Sequence, residues 1–306
     1  MDASPGILIE GARRVWRYQR VLWWIFVVNL VLAIFSSLPL VARLSRFAGN
    51  GFEMERFAKG FDLASFLALI GNPEAAFFGG ATSSFVLAFL FLLFMLFVTG
   101  GFLEAYRGDR KLSAAEFFHY SGAFFWRWVR LLIFLLIVLV PISLAASALD
   151  NWDLKLWSDA PQEKLGFWVM LCGLLLLLLV LMAVRLWFDM AQVRAVAEQE
   201  FAMRKTLFRA FRLTWNNFAS LFWLYFRISF LAWFVLIFWL ALWLHLSGAH
   251  MGRKFLAFQI VLLWWIGTRL WQRASETVWY ERWTETQAVV APVPAPVPAV
   301  PALPAI

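Results

Sequence analysis

Residues 116–132 read EFFHYSGAFFWRWVRLL, and the uncharged run 131–149 follows at once. Phe117, Ser121, Phe124, Phe125 and Trp128 recur at helical spacing on one face of this stretch. Glu116, His119, Ala123, Arg127 and Arg130 fall on the opposite face. A helix divided in this way suits the boundary of a bilayer, its rings among acyl chains and its arginines among phosphates. The stretch therefore predicts a helix lying at a membrane surface, directly ahead of a helix that crosses the membrane.

Composition places the rest of the chain in the same setting. Its 306 residues are 63% hydrophobic and only 15% charged, and the mean hydropathy is +0.74. A soluble domain averages about 45–50% apolar and about 25% charged residues. The 19 tryptophans and 33 phenylalanines fit an integral membrane protein, because aromatic residues favour the interface. The formal charge of +8 comes from few residues gathered at span ends, which points to anionic lipid headgroups and away from nucleic acid. Cys172 is the only cysteine, so there is no disulfide framework and no thiol-based metal site.

Six runs have the character of membrane helices: 21–42, 84–103, 131–149, 165–184, 228–247 and 255–271. A span takes about 20 apolar residues, with about 17 as the lower limit. The third contains Pro141, which predicts a kink, and the sixth holds Arg269 near its end. The first is too long for the apolar core of a signal peptide and reads as a signal anchor. Basic residues concentrate before the odd-numbered runs and after the even-numbered ones. This asymmetry predicts a multi-pass protein of the cell (inner) membrane with both termini in the cytoplasm.

The pattern of the opening stretch occurs twice more. ARRVWRYQRVL, before the first run, sets Arg13, Arg17 and Arg20 opposite Val15, Tyr18 and Leu22. KTLFRAFRLTWNNF, before the fifth, sets Lys205, Arg209, Arg212 and Asn216 opposite Leu207, Phe208, Phe211, Trp215 and Phe218. The three segments align on Trp16-Arg17, Trp126-Arg127 and Trp215-Asn216. The exits of the fourth and sixth runs match as well, as RLWFDMAQ from Arg185 and RLWQRASE from Arg269. The expected fold is thus all-α: a polytopic helix bundle of six spans, made of three units that each carry an interfacial amphipathic helix and a transmembrane hairpin. Unit boundaries fall near 1–112, 113–204 and 205–285.

Helix count, the aromatic and basic foot before odd-numbered spans, and small residues such as Gly100 and Gly101 at a span end give a further pointer. Over residues 7–285 the arrangement resembles the membrane domain attached to some glycerophosphodiester phosphodiesterases and related uncharacterised six-helix bacterial membrane proteins. The resemblance implies the bundle architecture. It carries no functional residue across, and the phosphodiesterase activity is not implied because its soluble domain is not in this sequence.

Between the first two runs, FDLASFLALIGNP (61–73) predicts a short helix, capped by Asp62 and stopped at Gly71-Asn72-Pro73. Residues 286–306, rich in Pro, Ala and Val, predict a disordered, extended tail.

No HExxH, GxSxG, P-loop or paired-cysteine pattern occurs. The three histidines, His119, His245 and His250, form no ligand set by spacing, so neither cofactor nor metal is expected. Two groups of residues remain as candidates. Arg13, Arg17, Arg20, Arg127, Arg130, Arg209 and Arg212 are expected to bind lipid headgroups. Arg227 and Asp189 could form an ion pair within the membrane, with Arg227 at the edge of the fifth span as the other reading. Arg185 and Asp189, four residues apart, could pair on their own helix. The chain is expected to be a non-enzymatic membrane protein that organises anionic lipid, or a partner complex, through its interfacial helices. A transporter or channel subunit for a lipid-like substrate is the alternative, since the spans carry few polar residues.

Overall fold

A long apolar run in lipid must satisfy its own backbone, and a helix does so within one segment. The computed structural model describes residues 6–48, 81–159, 163–245 and 251–290, and among them the regular structure is entirely helical. Eight helices follow in order: α1 (Ile7–Arg17), α2 (Gln19–Ala48), α3 (Ala81–Gly108), α4 (Ala114–Asp159), α5 (Glu163–Ala197), α6 (Met203–Asn216), α7 (Phe218–His245) and α8 (Met251–Val290). The short helix expected at 61–73, His250 and residues 291–306 lie outside the described residues. Residues 286–290, expected to open the tail, instead continue α8.

Among the described residues five helices are long and apolar enough to cross a membrane: Gln19–Leu38, Phe85–Gly108, Ala114–Leu149, Phe167–Ala197 and Phe218–Leu242. The sixth run, 255–271, is helical within α8 but is not among these five. Gln259, Arg269 and the three tryptophans Trp264, Trp265 and Trp271 dilute its apolar character. The fifth span starts at Phe218, well before the expected 228, and α4 continues through Pro141.

The feet differ from one another. The first and third are separate helices, α1 and α6, broken from their spans at Tyr18 and Asn217. The second is continuous with its span in the 46-residue α4. Its start is fixed by a reciprocal cap. The Glu116 N–H donates to Ser113 Oγ at 3.2 Å, and the Ser113 N–H donates to Glu116 Oε2 at 2.8 Å.

Packing is concentrated at one end of the bundle. On the ascending helices the buried residues come first: Val21 and Ile25 on α2, Phe124 and Leu131 on α4, Leu221 and Ile228 on α7. On the descending helices they come last: Leu103 on α3, Met190 on α5, Ala274 on α8. All of these residues therefore lie at the same base. At the other end of the helices Phe35, Phe85, Val140, Leu175, Phe238 and Leu256 are exposed.

The base is built from three helix pairs, α1 with α8, α3 with α4, and α5 with α6. Trp271 Nε1 on α8 donates to the Leu8 carbonyl on α1 at 2.8 Å. Trp187 Nε1 on α5 donates to the Leu207 carbonyl on α6, also at 2.8 Å. Between α3 and α4, Phe97 stacks on Phe118 with centroids 6.1 Å apart. Small residues let these pairs approach closely. A Cβ on Gly101 would lie 2.6 Å from Ser121 Oγ, and one on Gly100 would lie 2.9 Å from the Phe124 Cβ. A Cβ on Gly11 would lie 2.9 Å from the Ser275 nitrogen.

This packing corrects the expectation for the ring face of residues 116–132. Phe117, Ser121, Phe124 and Trp128 are buried in protein at the base, not laid among acyl chains. An aromatic face suits either environment, and here Gly100 and Gly101 open a seat for it on α3. The rings turned outward are Phe118 and Trp126.

Candidate functional site

Charged residues at the base are ordered by helical spacing. Arg185, Asp189 and Gln192 follow one face of α5, and Gln272, Arg273 and Glu276 project from α8. The two sets meet. Arg273 Nη2 lies 2.7 Å from Asp189 Oδ1, Arg185 Nε lies 3.7 Å from Asp189 Oδ2, and Arg273 Nη1 lies 3.6 Å from Glu276 Oε2. Asp189 is 5% exposed and Glu276 only 1%. Burial, and then the nearby Asp189 charge, push the Glu276 carboxyl up to about 8, against the opposing pull of Arg273 and Arg185. Neither Glu276 oxygen has a hydrogen-bond partner among the described residues, nor do Asp189 Oδ2, Gln192 Oε1 and Gln272 Nε2. Two cavities flank this cluster. One of about 390 Å³ lies between α5, α7 and α8, and one of about 340 Å³ lies among α3, α4 and α5, with Arg273 contributed by α8.

A second set of ions fastens the helices together. Arg14 Nη1 donates to the Tyr106 carbonyl at 2.6 Å and to Glu281 Oε1 at 3.1 Å, while its Nη2 donates to Glu281 Oε2 at 2.7 Å. This two-pronged contact joins α1, α3 and α8. Arg107 Nη1 donates to the Val196 carbonyl at 2.8 Å, and Tyr280 donates to Glu198, which also pairs with Arg194.

The seven arginines expected at lipid headgroups divide accordingly. Arg20, Arg130 and Arg212 are exposed, and Arg13 is exposed with a long contact of 3.9 Å to Glu10. Arg17 pairs with Asp109, and Arg209 pairs with Glu200 at 3.1 Å. Arg127 is buried between the Phe124 and Phe201 rings, 4.5 and 3.9 Å from their centroids, and reaches the Glu200 carbonyl at 3.4 Å. Its role is in the protein interior, because Phe201 and Glu200 fold over the face that the sequence assigns to phosphates.

Arg227 is not brought to Asp189. It is exposed on α7, with its guanidinium 5.3 Å from the Trp223 centroid, while Asp189 is held by Arg273 and Arg185. Tyr225, Ile228 and Ala232 form the inward face of α7, and Arg227 falls on the other side of the helix. The Arg185–Asp189 pairing along α5 is present. Sequence reading passed over Arg14 and Arg273. Arg273 had a readable signal, since it stands in the second RLW exit where Asp189 stands in the first. For Arg14 only the i,i+4 pair with Glu10 was readable, because its other partners, Tyr106 and Glu281, are far away in the chain.

No family model, curated protein or solved structure matches this chain. The reading of the site therefore rests on its own chemistry. Among the described residues no group of three His, Cys, Asp or Glu side chains gathers as a metal site.

Proposed function

We propose that the chain is a six-span inner-membrane protein of three repeated units, cytoplasmic at both termini, that binds and organises membrane lipid without catalysing a reaction. The observation that carries this reading is the division of the spans into a buried base and a largely exposed far end, where contacts are those of neighbouring helices, such as Gly173 with Leu149 and Trp239 with Phe258. On α5, residues 174–176 and 178–181 are exposed, around the whole circumference of the helix. Apolar surface of that extent, on a helix long enough to cross a bilayer, is the surface that lipid tails cover. Lipid tails entering between the helices would complete the bundle, as side chains do in a protein whose spans touch along their full length.

Several contacts support the repeat. Leu8, Phe118 and Leu207 share one position in the aligned feet, and Gly11, Ser121 and Ala210 share another. Their partners correspond too: Trp271, Phe97 and Trp187 for the first set. In this alignment each foot rests on the exit of the unit before it, and the first foot rests on the last exit, closing a ring. Tyr18 and Asn217, where two feet break from their spans, are equivalent as well. The run 255–271 would be the sixth span, shielded at its base by the surrounding units. Exposed Arg13, Arg20, Arg130 and Arg212 would face anionic headgroups, each adding about 1 kcal/mol near the surface.

The test is delipidation. Protein purified in mild detergent is expected to carry lipid, to lose thermal stability when stripped, and to regain it in phosphatidylglycerol–phosphatidylcholine vesicles. Lipid-free protein with undiminished stability would overturn the reading.

A further inference from the structure

The cavity between α5, α7 and α8 is polar towards the base and apolar beyond it. Arg185, Tyr225, Arg269 and Gln272 form its polar part, and Leu178 and Trp233 line the opposite end. On α5, Leu178 stands about 10 Å from Arg185 along the helix axis, towards the open end of the bundle.

The polar part is rich in donors that lack acceptors. Tyr225 and Gln272 are 5% and 4% exposed, yet the Tyr225 hydroxyl and Gln272 Nε2 have no hydrogen-bond partner among the described residues. Arg185 and Arg269 approach ring faces, 5.1 Å from the Tyr225 centroid and 5.3 Å from that of Trp265. No acidic side chain among the described residues lines this cavity; Asp189 lines the neighbouring one and meets the Arg185 Nε at 3.7 Å, which leaves Arg269 as the cation without a carboxylate. Buried donors without acceptors are unfavourable, and two guanidinium groups beside them select an anion. The apolar walls above select a chain attached to that anion.

We propose that this cavity is the binding site for a single anionic membrane lipid, its phosphate held by Arg185, Arg269, Tyr225 and Gln272 and an acyl chain passing Leu178 and Trp233. The proposal rests on the lipid-organising reading above and gives it a specific lipid class. The repeat explains why one crevice is distinguished. Arg185 and Arg269 occupy equivalent positions in the RLW exits of the second and third units, and they face each other across this cavity. In the exit of the first unit the corresponding residue is Met95.

The experiment is native mass spectrometry of the full chain in mild detergent. The protein is titrated with phosphatidylglycerol, with phosphatidylcholine of the same acyl chains, and with inorganic phosphate as competitor. One phosphatidylglycerol is expected to bind more tightly than phosphatidylcholine and to resist equimolar phosphate. Arg269→Met is expected to weaken phosphatidylglycerol by about tenfold or more and to narrow its advantage over phosphatidylcholine, whose choline cation already offsets the phosphate charge. Arg185→Met with Arg269→Met should weaken it further. Arg185 also pairs with Asp189, so the double variant can unfold; Arg269 has no ion pair among the described residues and serves as the deciding variant. Equal phosphatidylglycerol affinity in folded Arg269→Met would overturn the proposal, as would equal affinity of the wild type for both lipids. Displacement by equimolar phosphate would replace the lipid with a free anion and overturn it too. A wild-type protein that retains lipid without headgroup preference refutes this inference alone, whereas one that retains no lipid refutes the functional reading beneath it.

Discussion

Asp189 on α5 and Arg273 on α8 meet at 2.7 Å, although they occupy the same position in two matching stretches of sequence. The two matching stretches thus carry opposite charges at one position, and their attraction joins α5 to α8 at the base. Removing one member of such a pair leaves the other charge buried, at a cost of about 3–5 kcal/mol. Asp189→Asn and Arg273→Gln are each expected to lower the detergent Tm clearly, and the double variant to recover part of the loss. Arg227→Leu, on the exposed side of α7, is expected to leave the Tm nearly unchanged. Thermal unfolding of these four variants, analysed as a double-mutant cycle with Arg227→Leu apart, checks the assignment.

Glu276 makes the same cluster sensitive to pH. Between its ordinary value of 4.5 and about 8, the unfolded carboxyl is ionised while the folded one keeps its proton. The folded state therefore binds more protons in that window, and stability falls as pH rises. The fall ends once the folded group also ionises, above about 8. Glu276→Gln, which cannot ionise, is expected to flatten the Tm profile across this range. A wild-type profile rising with pH there would contradict the burial of the group.

The α3–α4 crossing depends on the absence of side chains. A Cβ on Gly101 would approach Ser121 Oγ and the Phe117 ring to within 2.8 Å, so Gly101→Ala is expected to cost about 1–3 kcal/mol. Gly122 is only one residue beyond Ser121 but has nothing within 4 Å of its Cβ position. There, Gly→Ala is expected to be neutral or to gain up to about 1 kcal/mol through helix propensity. Chemical or thermal denaturation of the two variants side by side separates crowding from propensity.

Topology is tested with single cysteines. In a Cys172→Ser background, cysteines at Asp159 and Thr286 are expected to react with an impermeant maleimide from opposite faces of the membrane. Labelling of both from one face would contradict a chain that crosses the membrane between them an odd number of times.

Much of this architecture was written in run lengths. The first four spans were legible because an apolar stretch of the right length admits few alternatives in a folded chain. The fifth was placed late because Arg227 looked like a boundary, whereas a side chain on an exposed helix face is tolerated well inside. Helical periodicity sorted residues 116–132 onto two faces, and the ring face is indeed the buried one. What it met could not be read there, since phenylalanine is equally at home against lipid and against a glycine seat on another helix. The ion pairs joining distant segments, Arg14 with Glu281 and Asp189 with Arg273, lie outside any local pattern. Of the two, only the second left a trace, through the matching exits.

The contact of Arg14 with Tyr106 and Glu281 also has a consequence for biogenesis. As the chain is made, α1 emerges first, yet its seat on α8 and one of its ionic partners are synthesised last. The first hairpin must therefore wait in the bilayer with Arg14 held only by Glu10 and the Tyr106 carbonyl until the final helix arrives. Docking of α8 against α1 becomes the concluding step of assembly, and a chain stopped short of Glu281 would lose the ionic latch on its first helix. Such a chain keeps the Glu10 and Tyr106 contacts of Arg14 but leaves the guanidinium without its two-pronged carboxylate partner.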